Sequence, residues 1–180
     1  MAGARRDTPS VGPYDAGMGG RFPMSLDGLN QGITWFVVVV VAVVVVSVIG
    51  SPAGPIALPI VGLVAVGLAV AWALAPTALE IDGHAVRICR RAWRPLDLPL
   101  VTIASVETTP PMGLGFRLFG VGGFFGSYGL FWARNLGRFM AYVTRRGPSV
   151  LLRRRGALPV MVTPDDPEGF VRTLRLACGL

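Results

Sequence analysis

Two long stretches without a charged residue, Ile33 to Ile49 and Ile56 to Ala75, constrain this chain more than any other feature. The first puts ten valines into the twelve positions from Val37 to Val48, and valine favours strands in water. Length overrides that preference. Strands of globular proteins run to about 5–6 residues and seldom beyond 10, whereas these runs hold 17 and 20 residues, within the roughly 17–25 that carry a helix across a bilayer. With no water to pair its peptide groups, a lone spanning segment satisfies its backbone internally and becomes helical. The expected organisation is a transmembrane helix at 33–49, a short extracytoplasmic loop at 50–55 and a second transmembrane helix at 56–75.

Arginine placement sets the expected orientation. The connecting "GSPAGP" carries no charge, while Arg21 precedes the first span and Arg87, Arg90, Arg91 and Arg94 follow the second. Positive charge close to the spans marks the cytoplasmic side, so both termini are expected in the cytoplasm. Trp35 and Trp72 then share one interface, as aromatic belt residues do. Ala65, Ala69 and Ala73, and likewise Gly67, Ala71 and Ala75, recur every fourth residue and offer small faces for packing against the valine-rich helix. The first run starts only after 32 residues and is followed by another, which favours a retained anchor over a cleaved signal.

Composition agrees. Hydrophobic residues make up 52% of the 180, and the net charge of +7 comes from seventeen basic residues that are all arginine; mean hydropathy is +0.59. Cys89 and Cys178 lie far apart, so neither a zinc site nor a disulfide framework is expected. Residues 1–32, rich in Gly, Pro, Ser and Asp without periodicity, read as a disordered tail.

From residue 77 onward the pattern changes to short alternating segments, enough chain for one small domain, 77–180. "ALEIDGHAVRICR" reads as a hairpin turning at Asp82-Gly83. "PLDLPL" alternates next and "VTIASVETT" gives a third strand region, then come a glycine-rich stretch from Gly113 to Gly129 and four more strand candidates, "LFWARN", "RFMAYVT", "SVLLRRR" and "LPVMVT". The chain closes on a helix: Asp166 caps it, Pro167 suits its first position, Glu168 meets its positive end, and Phe170, Leu174 and Ala177 form its apolar stripe. Seven antiparallel strands and one C-terminal capping helix form an antiparallel sandwich or barrel, α+β or all-β in class.

The segments "RLFGVGGFFGSYGLFWARNLGRFMAYVTRR", 117–146, and "VLLRRRGALPVMVTPDDPEGFVRTLR", 150–175, carry a resemblance. With "VTPDDPEGF" at Val162 to Phe170 matching V-[ST]-P-x-D-P-x-x-F, the chain resembles membrane-anchored bacterial PH (pleckstrin homology-like) domain proteins of largely unassigned function. The resemblance implies a PH-like scaffold acting as a binding module, with the hairpin in the inner membrane of a bacterial cell. Phosphoinositide-binding PH domains use basic residues around the first hairpin, whereas this one reads "EIDGHAVRI" with only His84 and Arg87, so inositol phosphate recognition is not expected.

Catalytic chemistry lacks a constellation. His84 is the only histidine and sits beside a turn, helix capping accounts for Asp165, Asp166 and Glu168, and "GVGGFFG" departs from both phosphate-loop patterns. No cofactor and no metal is expected. Two groups remain as binding candidates. Arg90, Arg91, Arg94, Arg145, Arg146, Arg153, Arg154 and Arg155 form basic clusters suited to an anionic membrane surface, and to charge-guarded strand edges equally well. Phe119, Phe124 and Phe125, set among glycines, suit either packing over the barrel or contact with lipid or a partner. Nucleic acid is disfavoured because Trp93 alone interleaves the arginines. The expected function is a non-catalytic membrane protein whose cytoplasmic domain binds a protein partner or the lipid surface. The alternative is a structural subunit of a membrane complex or homo-oligomer assembled through the hairpin.

Overall fold

The structure, a computed structural model, describes residues 20–49, 51–52, 54–111 and 113–180. Strand β1 (Gly20–Pro23) leads into helix α1 (Gly28–Val48), and helix α2 (Gly54–Leu74) returns the chain to strand β2 (Pro76–Ile81). β1 pairs antiparallel with β2, Phe22 opposite Leu79 and Pro23 opposite Ala78, so both ends of the hairpin are sewn into one sheet. Residues 20–32 therefore depart from the expected disordered tail. Phe22 and Met24 are buried among core residues of the domain, and that burial supplies the apolar contact the local composition lacks. Residues 1–19 of the expected tail, and part of the expected 50–55 loop, lie outside the described residues.

The two helices have mean hydropathies of 2.5 and 2.4, and almost none of either is buried in protein. Twenty-one residues at about 1.5 Å each reach about 30 Å, the thickness of a bilayer's hydrocarbon. A soluble core helix would be buried. These apolar surfaces are open and require lipid as their solvent. On α1 the half-buried positions are Ile33, Val37, Val41, Val45 and Val48, and on α2 they include Ala57, Val61 and Leu68. The helices meet along those rows. Ala65, Gly67 and Ala69 stay exposed, so the expected small faces do not pack the hairpin, although Ala71 is buried against the domain. α1 starts earlier than the apolar run because Asp27 caps it, accepting from the Asn30 N–H at 2.8 Å.

The domain is a sandwich. Strands β3 (Ala85–Arg90) and β4 (Leu96–Pro99) complete a four-stranded antiparallel sheet of order β1-β2-β3-β4. A 3-10 turn at Leu100–Thr102 leads to β5 (Ile103–Thr109), β6 (Phe116–Val121), β7 (Ser127–Ala133), β8 (Gly137–Val143), β9 (Ser149–Arg154) and β10 (Val160–Val162). These form a second sheet of order β5-β9-β10-β8-β7-β6, antiparallel except where β10 runs parallel to β8. Among the described residues there are thus ten strands in two sheets, not seven, one of the three additional strands being β4 within "PLDLPL". β1 lies in the region read as tail, and β6 lies in the region read as a glycine-rich loop. The expected hairpin at Asp82 is present, with Ile81 opposite Val86, but its turn is longer than two residues: the Asp82 carboxylate accepts from the His84 and Ala85 N–H groups at 2.9 and 2.7 Å.

The inner faces of the sheets bury Leu79, Val86, Ile88, Val106, Val150, Leu152, Val160 and Val162. Helix α3 (Pro167–Cys178) has the expected cap, Asp166 accepting from the Gly169 N–H at 2.9 Å, with Pro167 in the first turn and Gly179 left-handed at its end. It buries Phe170, Val171 and Leu174 where the β1 and β5 edges leave the sandwich open, and Phe170 meets Phe22 edge-on at 5.2 Å. A smaller cluster, Phe131, Phe139, Ala141, Leu151 and Met161, lies on the outer face of the second sheet under Leu114.

Candidate functional site: the hairpin-facing pole of the domain

A helix leaves its last C=O groups without partners, and at the end of α2 the domain supplies donors for them. Tyr128 on β7 donates its hydroxyl to the Ala71 carbonyl in the last turn of α2. The Ala92 N–H donates to the Ala73 carbonyl at 3.0 Å, and the Arg91 N–H to the Ala75 carbonyl at 2.9 Å. At α1, Asp27 accepts from the Arg146 N–H at 3.1 Å, and the Asn30 side chain donates to the Thr144 carbonyl at 3.0 Å. The Phe125 N–H reaches Thr34, 3.3 Å away, beside Trp35. One pole of the sandwich is thereby fixed to the base of the hairpin.

Strand direction sorts the arginines. β2 leaves the hairpin at Pro76 and turns back at Asp82, so the residue paired with Pro76, Arg90, returns to the hairpin end. Arg91 continues there, its guanidinium 5.5 Å from the Trp72 ring centroid, and Arg94 is exposed in the link to β4. Arg145 and Arg146 follow Thr144 at the same pole. Arg153, Arg154 and Arg155 do not join them. Arg154 lies opposite Ile103, the Arg155 N–H donates to Thr102 at 2.7 Å, and the Leu100 N–H donates to His84 at 2.9 Å. The run therefore sits at the far pole with the Asp82 turn. Six residues of strand at about 3.3 Å each separate the poles by roughly 20 Å, more than twice the Debye length of about 8 Å at physiological salt.

Local partners divide the near-pole arginines further. Arg145 forms an ion pair with Asp165 at 3.8 Å and donates to the Pro164 and Asp165 carbonyls at 3.1 and 3.0 Å, so it mainly braces the start of α3. It borders a hollow of about 560 Å³ between α1 and the second sheet, together with Arg146 and Ser149. At the far pole Arg153 pairs with Glu107 at 3.5 Å. Arg91, Arg94 and Arg146 make no ion pair among the described residues.

The glycine-rich stretch is a hairpin, β6–β7, and its glycines have a reason. Gly120 lies opposite Gly129, with φ of 119° and 132°. A Cβ on either would strike the partner strand, at the Tyr128 or the Phe119 carbonyl. The aromatics separate: Phe125 packs against the core, Phe124 is half-buried in the turn beside α1, and Phe119 on edge strand β6 is 80% exposed. Tyr128 reads in the sequence as one apolar body of the glycine-rich stretch, without a bonding role. Its only signal there was its place among the glycines, and burial now pushes its phenol up to about 12.

His84 is exposed in the β2–β3 turn. Among the described residues no cluster of three metal-ligating side chains occurs.

Two open apolar helices and a docked β-sandwich closed by a C-terminal helix define a membrane-anchored module of the PH-like class. The chain belongs to the bacterial PH domain family, whose model matches residues 77–177, as the "VTPDDPEGF" segment led us to expect. No curated protein and no solved structure matches it.

Proposed function

We propose that this protein spans the cytoplasmic membrane of a bacterial cell twice, with both termini inside, and that its PH-like domain acts without catalysis by binding the anionic lipid of the inner leaflet. The observation that carries this reading is the set of hydrogen bonds from Tyr128, Arg91, Ala92 and Arg146 to the two helix ends. They fix one pole to the base of the hairpin, where Arg91, Arg94 and Arg146 have no carboxylate partner among the described residues. Each such charge near an anionic surface gains about 1 kcal/mol. Arg153–Arg155 are left out because distance and salt screen them.

The test uses the intact chain in nanodiscs of neutral or anionic lipid, with amide hydrogen exchange as the readout. Exchange at 91–95 and 145–147 should slow in anionic discs and recover in high salt. Equal exchange in both lipids would end this reading. A second reading, a subunit assembled through the hairpin, is favoured by the exposed pair Ala65 and Ala69, one turn apart on a single face of α2. It predicts a partner that copurifies at native expression level and is lost when the hairpin is exchanged for an unrelated one.

A further inference from the structure

The corner of the sandwich nearest α2 is hollow. Leu130 and Met140 are only half-buried, unlike Val150, Leu152 and Val160 in the same sheet. With Leu74, Leu118 and Tyr142 they line an apolar cavity of about 860 Å³ bordered by Arg90 and by Arg117, which is exposed on β6. Arg90 is in phase with Val86 and Ile88, the inward positions of β3, so its side chain points between the sheets. Its Nε is buried with no hydrogen-bond partner among the described residues, and neither Arg90 nor Arg117 is paired with a carboxylate there. A buried guanidinium donor without an acceptor is costly, and an anionic oxygen relieves that cost best. The hollow at Arg145 also has unpartnered buried atoms, Arg145 Nε and Ser149 Oγ, but there Asp165 already answers the guanidinium's charge.

Position identifies the occupant. Leu74 ends α2, and Tyr128 in the same wall is bonded to Ala71, so the cavity borders the leaflet surface. Its volume falls within the roughly 300–1,000 Å³ of small-molecule sites. Its lining joins long apolar walls to two cations. We propose that it accepts one acyl chain of an anionic phospholipid from the adjoining leaflet, with the lipid phosphate held by Arg90 and Arg117. This rests on the membrane-facing placement proposed above and uses different residues from the surface contact.

The test is photolabelling of the full-length protein in vesicles containing a trace of phosphatidylglycerol with a diazirine at the end of one chain, the adducts being mapped by mass spectrometry. Adducts are expected on Leu130, Met140 or Tyr142. Arg90→Gln and Arg117→Gln should each lower them about tenfold, the equivalent of one charge-assisted hydrogen bond, and Met140→Trp should abolish them by filling the space. Arg153→Gln should leave them unchanged, and so should added inorganic phosphate, which separates the lipid from a free anion as the ligand. Adducts confined to 28–48 and 54–74, or equal domain labelling by a phosphatidylcholine probe, would overturn the proposal. Hydrogen exchange that responds at 91–95 without domain labelling sinks the cavity alone. Domain labelling without that response sinks the surface reading alone.

Discussion

Tyr128 donates its hydroxyl to the carbonyl of Ala71, joining the glycine-rich hairpin of the domain to the last turn of the second membrane helix. The bond answers two needs at once, those of a buried phenol and of a helix-terminal carbonyl near lipid.

Tyr128→Phe removes this bond and should cost about 1 kcal/mol in denaturant titrations in detergent. The pH dependence has a definite sign. The phenol is raised from 10.0 to about 12 by burial, so its contribution is complete below pH 10 and is lost as pH rises toward 12. The wild type should weaken across that window more than Tyr128→Phe does. Parallel profiles would count against the bond.

β1 makes a prediction about domain limits. A fragment of residues 77–180 lacks Phe22 and Met24, both buried in the core, and leaves the Phe170 side of the sandwich open. It should aggregate or lose cooperative unfolding. Because the Met24 N–H donates to Thr77 at 2.9 Å, joining 20–25 to 76–180 through a loop of about 2–5 residues should restore a soluble, cooperative domain. Equal thermal transitions for the two proteins would refute a structural role for β1.

With that hairpin-free domain, vesicle sedimentation can separate the two poles. Arg91→Glu, Arg94→Glu and Arg146→Glu together should abolish binding to anionic vesicles, about 1 kcal/mol being lost per charge. The triple reversal at Arg153, Arg154 and Arg155 should change it little. The opposite ranking would show that the far pole faces the lipid.

Gly129→Ala should destabilise the β6–β7 hairpin, by about 1–3 kcal/mol for a strained backbone. The residue has φ of 132°, and its added Cβ meets the Phe119 carbonyl. Gly83→Ala, with nothing near its Cβ, is the control. Thermal melts followed by circular dichroism would report the difference.

Orientation is open to thiol labelling in a background with Cys89 and Cys178 changed to alanine. Ser51→Cys, in the link between the helices, should react with an impermeant reagent outside intact cells. Leu180→Cys, more than half exposed, should react only after permeabilisation. The reverse pattern would invert the proposed topology.

Much of the architecture was legible from local pattern. The two uncharged runs, the Asp82 hairpin, the β8 and β9 alternation and the Asp166 cap are each specified by residues close in sequence. Less was legible at the ends and edges. β1 was missed because "GRFP" has no periodicity of its own, and its strand exists through pairing with a segment more than fifty residues later. β6 was missed because glycine reads as loop until its opposite glycine is known. Which arginines share a pole was not legible for a similar reason, since charge composition carries no information about which end of a strand adjoins the hairpin.

The amino-acid sequence by itself determined two helices long and apolar enough to cross a membrane, because neither uncharged run is interrupted, and it determined a β-rich domain with a capped last helix. Only the tertiary structure decided which pole of that domain adjoins the hairpin, which arginines keep free charge there, and where the sandwich stays hollow beside Arg90. Those are relations between strands distant in sequence, and they follow from pairing register and strand direction, which local residue preferences do not specify.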